Sequence, residues 1–128
     1  MMKLRYLGHS AFELKGGGAV ILTDPFLSGG PESRLSAESF EEVDFIFVTH
    51  GHSDHIGDTE KIALRTGAIV VANFELCHYF GKKGLTCHPM HIGGSFEFPF
   101  GRVKMTPALH GSDIMEGDTI IPGGNPCG

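Results

Sequence analysis

Three short runs near the start of the chain, 3–7, 11–14 and 20–23, are apolar or alternate between apolar and polar positions. A period of two marks half-buried strands. The glycines of KGGGA, between the second and third runs, supply the positive φ that a hairpin turn needs. The chain is therefore expected to open as an antiparallel meander. After Asp24-Pro25 the stretch FLSGGPESRLSAESFEE is rich in Gly, Pro and Ser, which predicts a loop with one helical turn near its end. Residues 45–48 are apolar without interruption, as in a strand buried on both faces. Asp58 is placed to cap a helix over 59–66, with Ile62 and Leu64 toward the buried side and Gly67 as its stop. A second buried strand follows at 68–72. Asn73 then caps a helix that runs to Phe80 and ends at Gly81, with Leu76 and Phe80 four apart on one face. Two strand-then-helix units in succession imply a sheet covered by helices. Residues 95–98 and 102–108 read as a hairpin turned at PFG and finishing at His110. Beyond it, GSDIMEGDTIIPGGNPCG has little periodicity and predicts a terminal loop with no closing element.

The run at 45–48 leads directly into THGHSDHIGD, which places His50, His52, Asp54 and His55 in the order His-x-His-x-Asp-His. Imidazoles and carboxylates this dense are costly in a core unless they share a positive charge. With Gly51 keeping the turn open, His50 and His52 can present both rings to one ion, and Asp54 and His55 can turn toward a second beside it. Nitrogen and carboxylate donors without thiolates suit zinc first, with manganese, iron or nickel as alternatives. One or two ions are expected. An ion held by three protein ligands keeps a position open for water and brings its pKa to roughly 7. Asp54 is the candidate catalytic residue, placed to hold or deprotonate that water. Elsewhere, His78, His88 and His91 read as packing or surface residues, and Lys82-Lys83 as cations favoured at a helix C-terminus.

Composition narrows the setting without changing the chemistry. A chain of 128 residues with 41% hydrophobic and 20% charged content is expected to form one folded domain, 1–128. No apolar run reaches membrane-spanning length, and the N-terminus lacks the apolar core of a signal peptide, so a cytoplasmic location without membrane partners is expected. The formal charge of -5 argues against nucleic acid as a partner. Cys77, Cys87 and Cys127 are odd in number and widely spaced, which predicts reduced thiols.

THGHSDHIGD also resembles the metal-binding signature of the metallo-β-lactamase fold superfamily. YLGHSAFEL, ILTDPFLSG, GGSFEFPFGRVKMTPALHGS and GGNPCG together resemble the UPF0173-type metal-dependent hydrolases. The resemblance implies an α/β fold, the N-terminal half of an αββα sandwich whose mixed sheet is covered by helices on one face. It implies His50, His52 and His110 as ligands of a first metal, and Asp54 and His55 as ligands of a second. His110 also fits independently, at the end of a predicted strand. Asp24 of TDP would lie behind the metals and orient a ligand histidine, and His9 of LGHSAF would sit at the rim. Members of this family are nearly twice as long, and their second half supplies an aspartate bridging the metals and a late histidine. Asp118 in EGDTI is too early to replace that aspartate. A second ion held only by Asp54 and His55 would be weak. The uncovered face of the sheet would favour a homodimer or another association, unless the chain is a fragment of a longer parent.

The function implied is hydrolysis of a small-molecule ester, lactone, amide or phosphodiester by metal-activated water. The alternative is a noncatalytic metal-binding half-domain or interaction module, because part of the site would be missing.

Overall fold

The computed structural model describes residues 1–30 and 34–128. Pro31, Glu32 and Ser33, within the loop expected after Asp24-Pro25, lie outside the described residues. The predicted meander forms β1 (Lys3–Gly8), β2 (Ala11–Gly16) and β3 (Ala19–Thr23), paired antiparallel. Gly17 and Gly18 take φ of 60° and 78° in the second turn, a backbone region that costs residues with a Cβ. The expected helical turn in the following loop is a short 3-10 segment, Ala37–Ser39.

From β3 the sheet continues parallel through β4 (Phe45–Phe47), β5 (Ile69–Asn73) and β6 (Cys87–Met90), so the six strands lie side by side in sequence order. Each parallel step needs a crossover. The connection that carries the 3-10 segment spans the first, helices α1 (Ser53–Ile56) and α2 (Thr59–Thr66) fill the second, and α3 (Phe74–Lys82) the third. Alternate residues of the strands serve opposite faces. Ile46, Val48, Val70 and Ala72 join Ile62, Leu76 and Phe80 in the core under the helices. Phe45, Phe47, Ile69 and Val71 face the other way, into a smaller cluster. That second face is partly covered by a hairpin of β7 (Ser95–Phe98) and β8 (Gly101–Lys104), whose Phe98 and Phe100 rings pack on Phe45 at centroid distances of 5.4 and 4.8 Å. Double coverage is why β4 is apolar at every position.

Four local expectations are corrected. Asp58 occupies the cap position of α2 but makes no capping bond. Its buried carboxylate instead accepts the backbone N–H groups of Leu27 and Ser28, at 3.0 and 2.7 Å, which fastens the β3–β4 connection to the helix. Leu64 is 59% exposed, and Ala63 takes the buried position beside Ile62. The hairpin strand at 102–108 ends at Lys104, well before His110. The chain beyond His110 does contain regular structure, a hairpin of β9 (Ile114–Glu116) and β10 (Thr119–Ile121) turned at Gly117-Asp118. Ile114 enters the core, and Ile121 packs against it.

Asn73 does more than the predicted capping. Its side-chain oxygen accepts the Leu76 N–H at 2.9 Å, while its amide nitrogen donates to the carbonyls of Gly123 and Asn125, at 2.7 and 3.0 Å. One side chain therefore starts α3, which runs to Lys82 rather than stopping at Gly81, and anchors the C-terminal GGNPCG segment. Asn73→Ala is expected to cost about 2 kcal/mol in a denaturant melt, the sum of a lost cap and unsatisfied buried carbonyls. Asn73→Asp keeps the cap acceptor and loses the two donors, so its loss should be intermediate. An Asp variant as stable as wild type would show that the C-terminal anchor contributes nothing.

Candidate metal centre

The parallel strands deliver their C-terminal ends to one edge, where β3 leads into Asp24 and β4 leads into Thr49 and His50. That is where open α/β sheets gather ligand-binding groups. Asp24 is buried, with the left-handed φ of 37° uncommon for a residue bearing a side chain. Its Oδ1 accepts the Thr49 backbone N–H at 2.8 Å. Its Oδ2 accepts the Thr49 hydroxyl at 2.7 Å and lies 2.8 Å from His55 Nδ1.

These bonds fix the protons. An ionised carboxylate only accepts, so the Thr49 hydroxyl spends its one proton on Asp24, and His55 donates from Nδ1. The Thr49 oxygen can then only accept from His50 Nδ1, 2.9 Å away. In neutral rings both His50 and His55 therefore carry hydrogen on Nδ1 and an open lone pair on Nε2. For His50 that lone pair is stranded: Nε2 is buried and has no hydrogen-bond partner among the described residues. Burial is the main cause that pushes the His50 pKa down to about 4, helped by the neighbouring His55, His52 and His110. A buried imidazole kept neutral with its lone pair inward is suited to accept a cation.

His52 and His110 complete the group. Ligand atoms of His50, His52 and His110 lie within 4.8 Å of one another. The three ring centroids are separated by 4.7 to 4.9 Å. His52 comes from the turn into α1. His110 arrives from a distant loop because two segments press together at Gly51, where a Cβ would stand 2.0 Å from the Ser112 carbonyl oxygen. Ser112 secures this contact by accepting the Gly51 N–H at 3.1 Å and donating to the Gly123 carbonyl at 2.9 Å. The Cys127 N–H, donating to the Thr49 carbonyl at 3.0 Å, adds a clamp from the C-terminal segment.

Asp54 and His55 stand next to this group, with the His55 ring 3.9 Å from that of His50 between centroids. His9, expected at the rim, reaches Asp54 directly, with Nε2 2.9 Å from Oδ2. Burial works against ionisation of Asp54, but hydrogen bonds from His9 and from its own backbone N–H outweigh it and hold the carboxyl below its ordinary range. Asp118 lies in the β9–β10 turn and belongs to no cluster of ligand-type side chains among the described residues. His78 is exposed on α3, His88 packs on Phe96 and Phe98, and His91 stacks on Phe74. Cys77, Cys87 and Cys127 are free thiols.

Thr49 and Ser112 were not singled out from the sequence. Thr49 had one visible signal, its position between an apolar strand and the first histidine. Ser112 had none, since its role exists only where two loops meet.

Residues 4–128 match the metallo-β-lactamase superfamily. A UPF0173 metal-dependent hydrolase of Anoxybacillus flavithermus is 49% identical over 128 residues, covering 99% of this chain and 56% of the relative. One from Bacillus cytotoxicus is 51% identical over 129 residues, with the same coverage of 99% and 56%. The chain thus spans little more than half the length of these relatives. The structure of a metallo hydrolase from the hyperthermophilic archaeon Ignicoccus hospitalis superposes with a TM-score of 0.79 at 34% identity, over 95% of this chain and 53% of that one. The present fold therefore matches the N-terminal part of that architecture.

Proposed function

The chain belongs to the metallo-β-lactamase superfamily, and on that premise we propose that it contributes the metal-binding half of a metal-dependent hydrolase, with His50, His52 and His110 holding the first ion. The observation that supports this most is the stranded Nε2 of His50, whose tautomer is set from behind by Thr49 and Asp24. Zinc is the ion we propose, from the nitrogen-rich donor set. Such an ion supplies Lewis acidity and makes water a competent nucleophile at neutral pH.

The chain's own residues do the rest. Asp24 and Thr49 hold the Nδ1 atoms of His55 and His50 and so leave each Nε2 as the open donor. Asp54, ionised and half-open to solvent, is placed to accept a hydrogen bond from an incoming water at Oδ2 and so orient it. Its lowered pKa makes it a better positioner than base. The substrate class we propose is a small ester, lactone, amide or phosphodiester.

Thr49 is testable by itself. Thr49→Val removes the acceptor for His50 Nδ1–H and should weaken zinc binding by roughly tenfold to a hundredfold, the usual effect of losing a group behind a ligand. Thr49→Ser keeps the hydroxyl and should retain affinity. Equal zinc affinity in the Val variant and wild type, read by competition with a chromophoric chelator, would remove Thr49 from the scheme.

A second reading, a noncatalytic metal-binding module, is favoured by the openness of the site. His110 is exposed and the adjoining Leu109 is fully so, whereas catalytic metals usually work in cavities that exclude bulk water. Metal analysis combined with an esterase and phosphodiesterase panel separates the two. Bound zinc with turnover supports the hydrolase, bound zinc without turnover supports the module, and a chain that takes up no metal excludes both.

A further inference from the structure

Cys77 and Cys87 take no part in the metal centre, yet the fold brings their thiols together. Cys77 lies on the buried face of α3, one turn past Asn73, with its Sγ donating to the Ala72 carbonyl of β5 at 3.7 Å. Cys87 opens β6 and stands opposite Val70 of β5 in the parallel register. Neighbours across a ladder share a face of the sheet. Val70 and Ala72 face the helices, so Cys87 does too, and both cysteines belong to the apolar cluster under α3.

The two thiols differ in environment. Cys77 is buried, while Cys87 is only partly so, on the edge strand of the six-stranded sheet. Their sulfurs are close enough for each to set the other's ionisation. Contact with Cys77 holds the Cys87 thiol below its ordinary range against the effect of its own burial, and contact with Cys87, together with burial, pushes the Cys77 thiol up. A readily ionised, solvent-reachable thiol beside a protonated one is the arrangement that separates an attacking cysteine from a resolving one. Cys127 is excluded from the pairing. It sits in the smaller cluster on the opposite face of the sheet, its S–H donating to the Thr49 carbonyl at 3.3 Å, and burial raises its pKa to about 11.

We propose that Cys77 and Cys87 form a redox-modification site, at which a hydroperoxide converts the two thiols into one disulfide joining α3 to β6. The Cys87 thiolate attacks one peroxide oxygen and breaks the O–O bond. Cys87 becomes a sulfenic acid, and the other oxygen leaves as water, or as an alcohol from an organic peroxide, with the proton that Cys87 lost. The Cys77 sulfur then attacks the sulfenic sulfur, the S–S bond forms, and the sulfenic oxygen departs as water with the Cys77 proton. Two thiols lose two electrons in all, and one hydroperoxide gains them. The pair lies under α3, apart from the clustered histidines, so the reaction requires no bound ion.

The test exposes the folded, reduced chain to a modest excess of hydrogen peroxide at neutral pH, alkylates the remaining thiols in urea, and reads tryptic peptides by mass spectrometry without reduction. Cleavage after Lys82 and Lys83 leaves Cys77 and Cys87 on separate peptides, so a disulfide between them appears as a linked pair. The expected result is that linked pair within one chain, with Cys127 alkylated and both thiols recovered by dithiothreitol. This measurement on wild type relies on no variant's folding. In Cys77→Ala the resolving thiol is gone, and dimedone should trap a sulfenic acid on Cys87. In Cys87→Ala, Cys77 should be oxidised on the order of tenfold more slowly than Cys87 is in wild type. Linked peptides that involve Cys127 as often as Cys77, disulfides between chains rather than within one, or Cys87 oxidised to the sulfinic acid with Cys77 left free would overturn the proposal. So would alkylation of all three thiols after the peroxide treatment.

Discussion

His52→Ala should lower the affinity of the first site for zinc by more than about a hundredfold, or roughly 3 kcal/mol, while leaving the protein folded. His52 opens α1 without making a side-chain capping bond. Its ring is half-buried among His50, His110 and the Gly111 backbone, where a Cβ on Gly111 would come within 3.3 Å of Nε2. Little of the hydrophobic core depends on it. Two donors, His50 and His110, would remain, and the latter is exposed and held only through its loop. The matched control is His78→Ala on the exposed face of α3, which should leave metal content unchanged. Equal zinc content in the two purified variants would refute the assignment of the first site.

Asp24→Asn should damage stability and metal binding together. Asp24 accepts three hydrogen bonds while buried, and an amide can satisfy at most part of that set. Whichever way the amide is turned, its NH2 group faces a donor. With the amide oxygen kept on the Thr49 N–H, the conflicting donors are the Thr49 hydroxyl and His55 Nδ1–H. The expected loss is about 2 kcal/mol in a urea melt, within the range for buried hydrogen bonds left unmade. Release of Thr49 and His55 also frees both imidazoles to change tautomer, so zinc affinity should fall by roughly tenfold to a hundredfold. A variant that loses stability but holds zinc as tightly as wild type would confine Asp24 to a structural role.

The two variants separate different links of one chain of cause. His52 is a donor with little part in packing, and Asp24 is a packing residue that controls donors. Thr49→Val sits between them, touching one histidine through one hydroxyl. A graded series in zinc affinity, with His52→Ala lowest, is the joint expectation.

Particular residues show how far the sequence could be read. The order His50, His52, Asp54, His55 was legible because the four lie within six positions, where backbone geometry alone keeps side chains close. Strands β1 to β5 and helices α2 and α3 were legible from periodicity and end signals. The Asp58 capping signal misleads because it is local, while the N–H groups of Leu27 and Ser28 that claim its carboxylate are about 30 residues away. Leu64 was misjudged for a similar reason: helical phase fixes which residues share a face, but the sheet decides which face is buried. The β9–β10 hairpin escaped notice because its strands are three residues each, too short to establish a period.

By itself, the sequence determined that this chain builds a helix-covered mixed sheet and carries a compact set of candidate cation ligands at the end of its fourth strand. Both follow from short-range order, the alternation of apolar residues and the spacing of donors within one turn. Only the tertiary structure decided which nitrogen of His50 and of His55 is left open, that Thr49 relays Asp24 to His50, and that His9 and His110 come to the same edge from opposite ends of the chain. Those facts depend on strand register and on two loops touching at Gly51, and they arise only when segments far apart in sequence exclude water from one another and must satisfy their hydrogen bonds together.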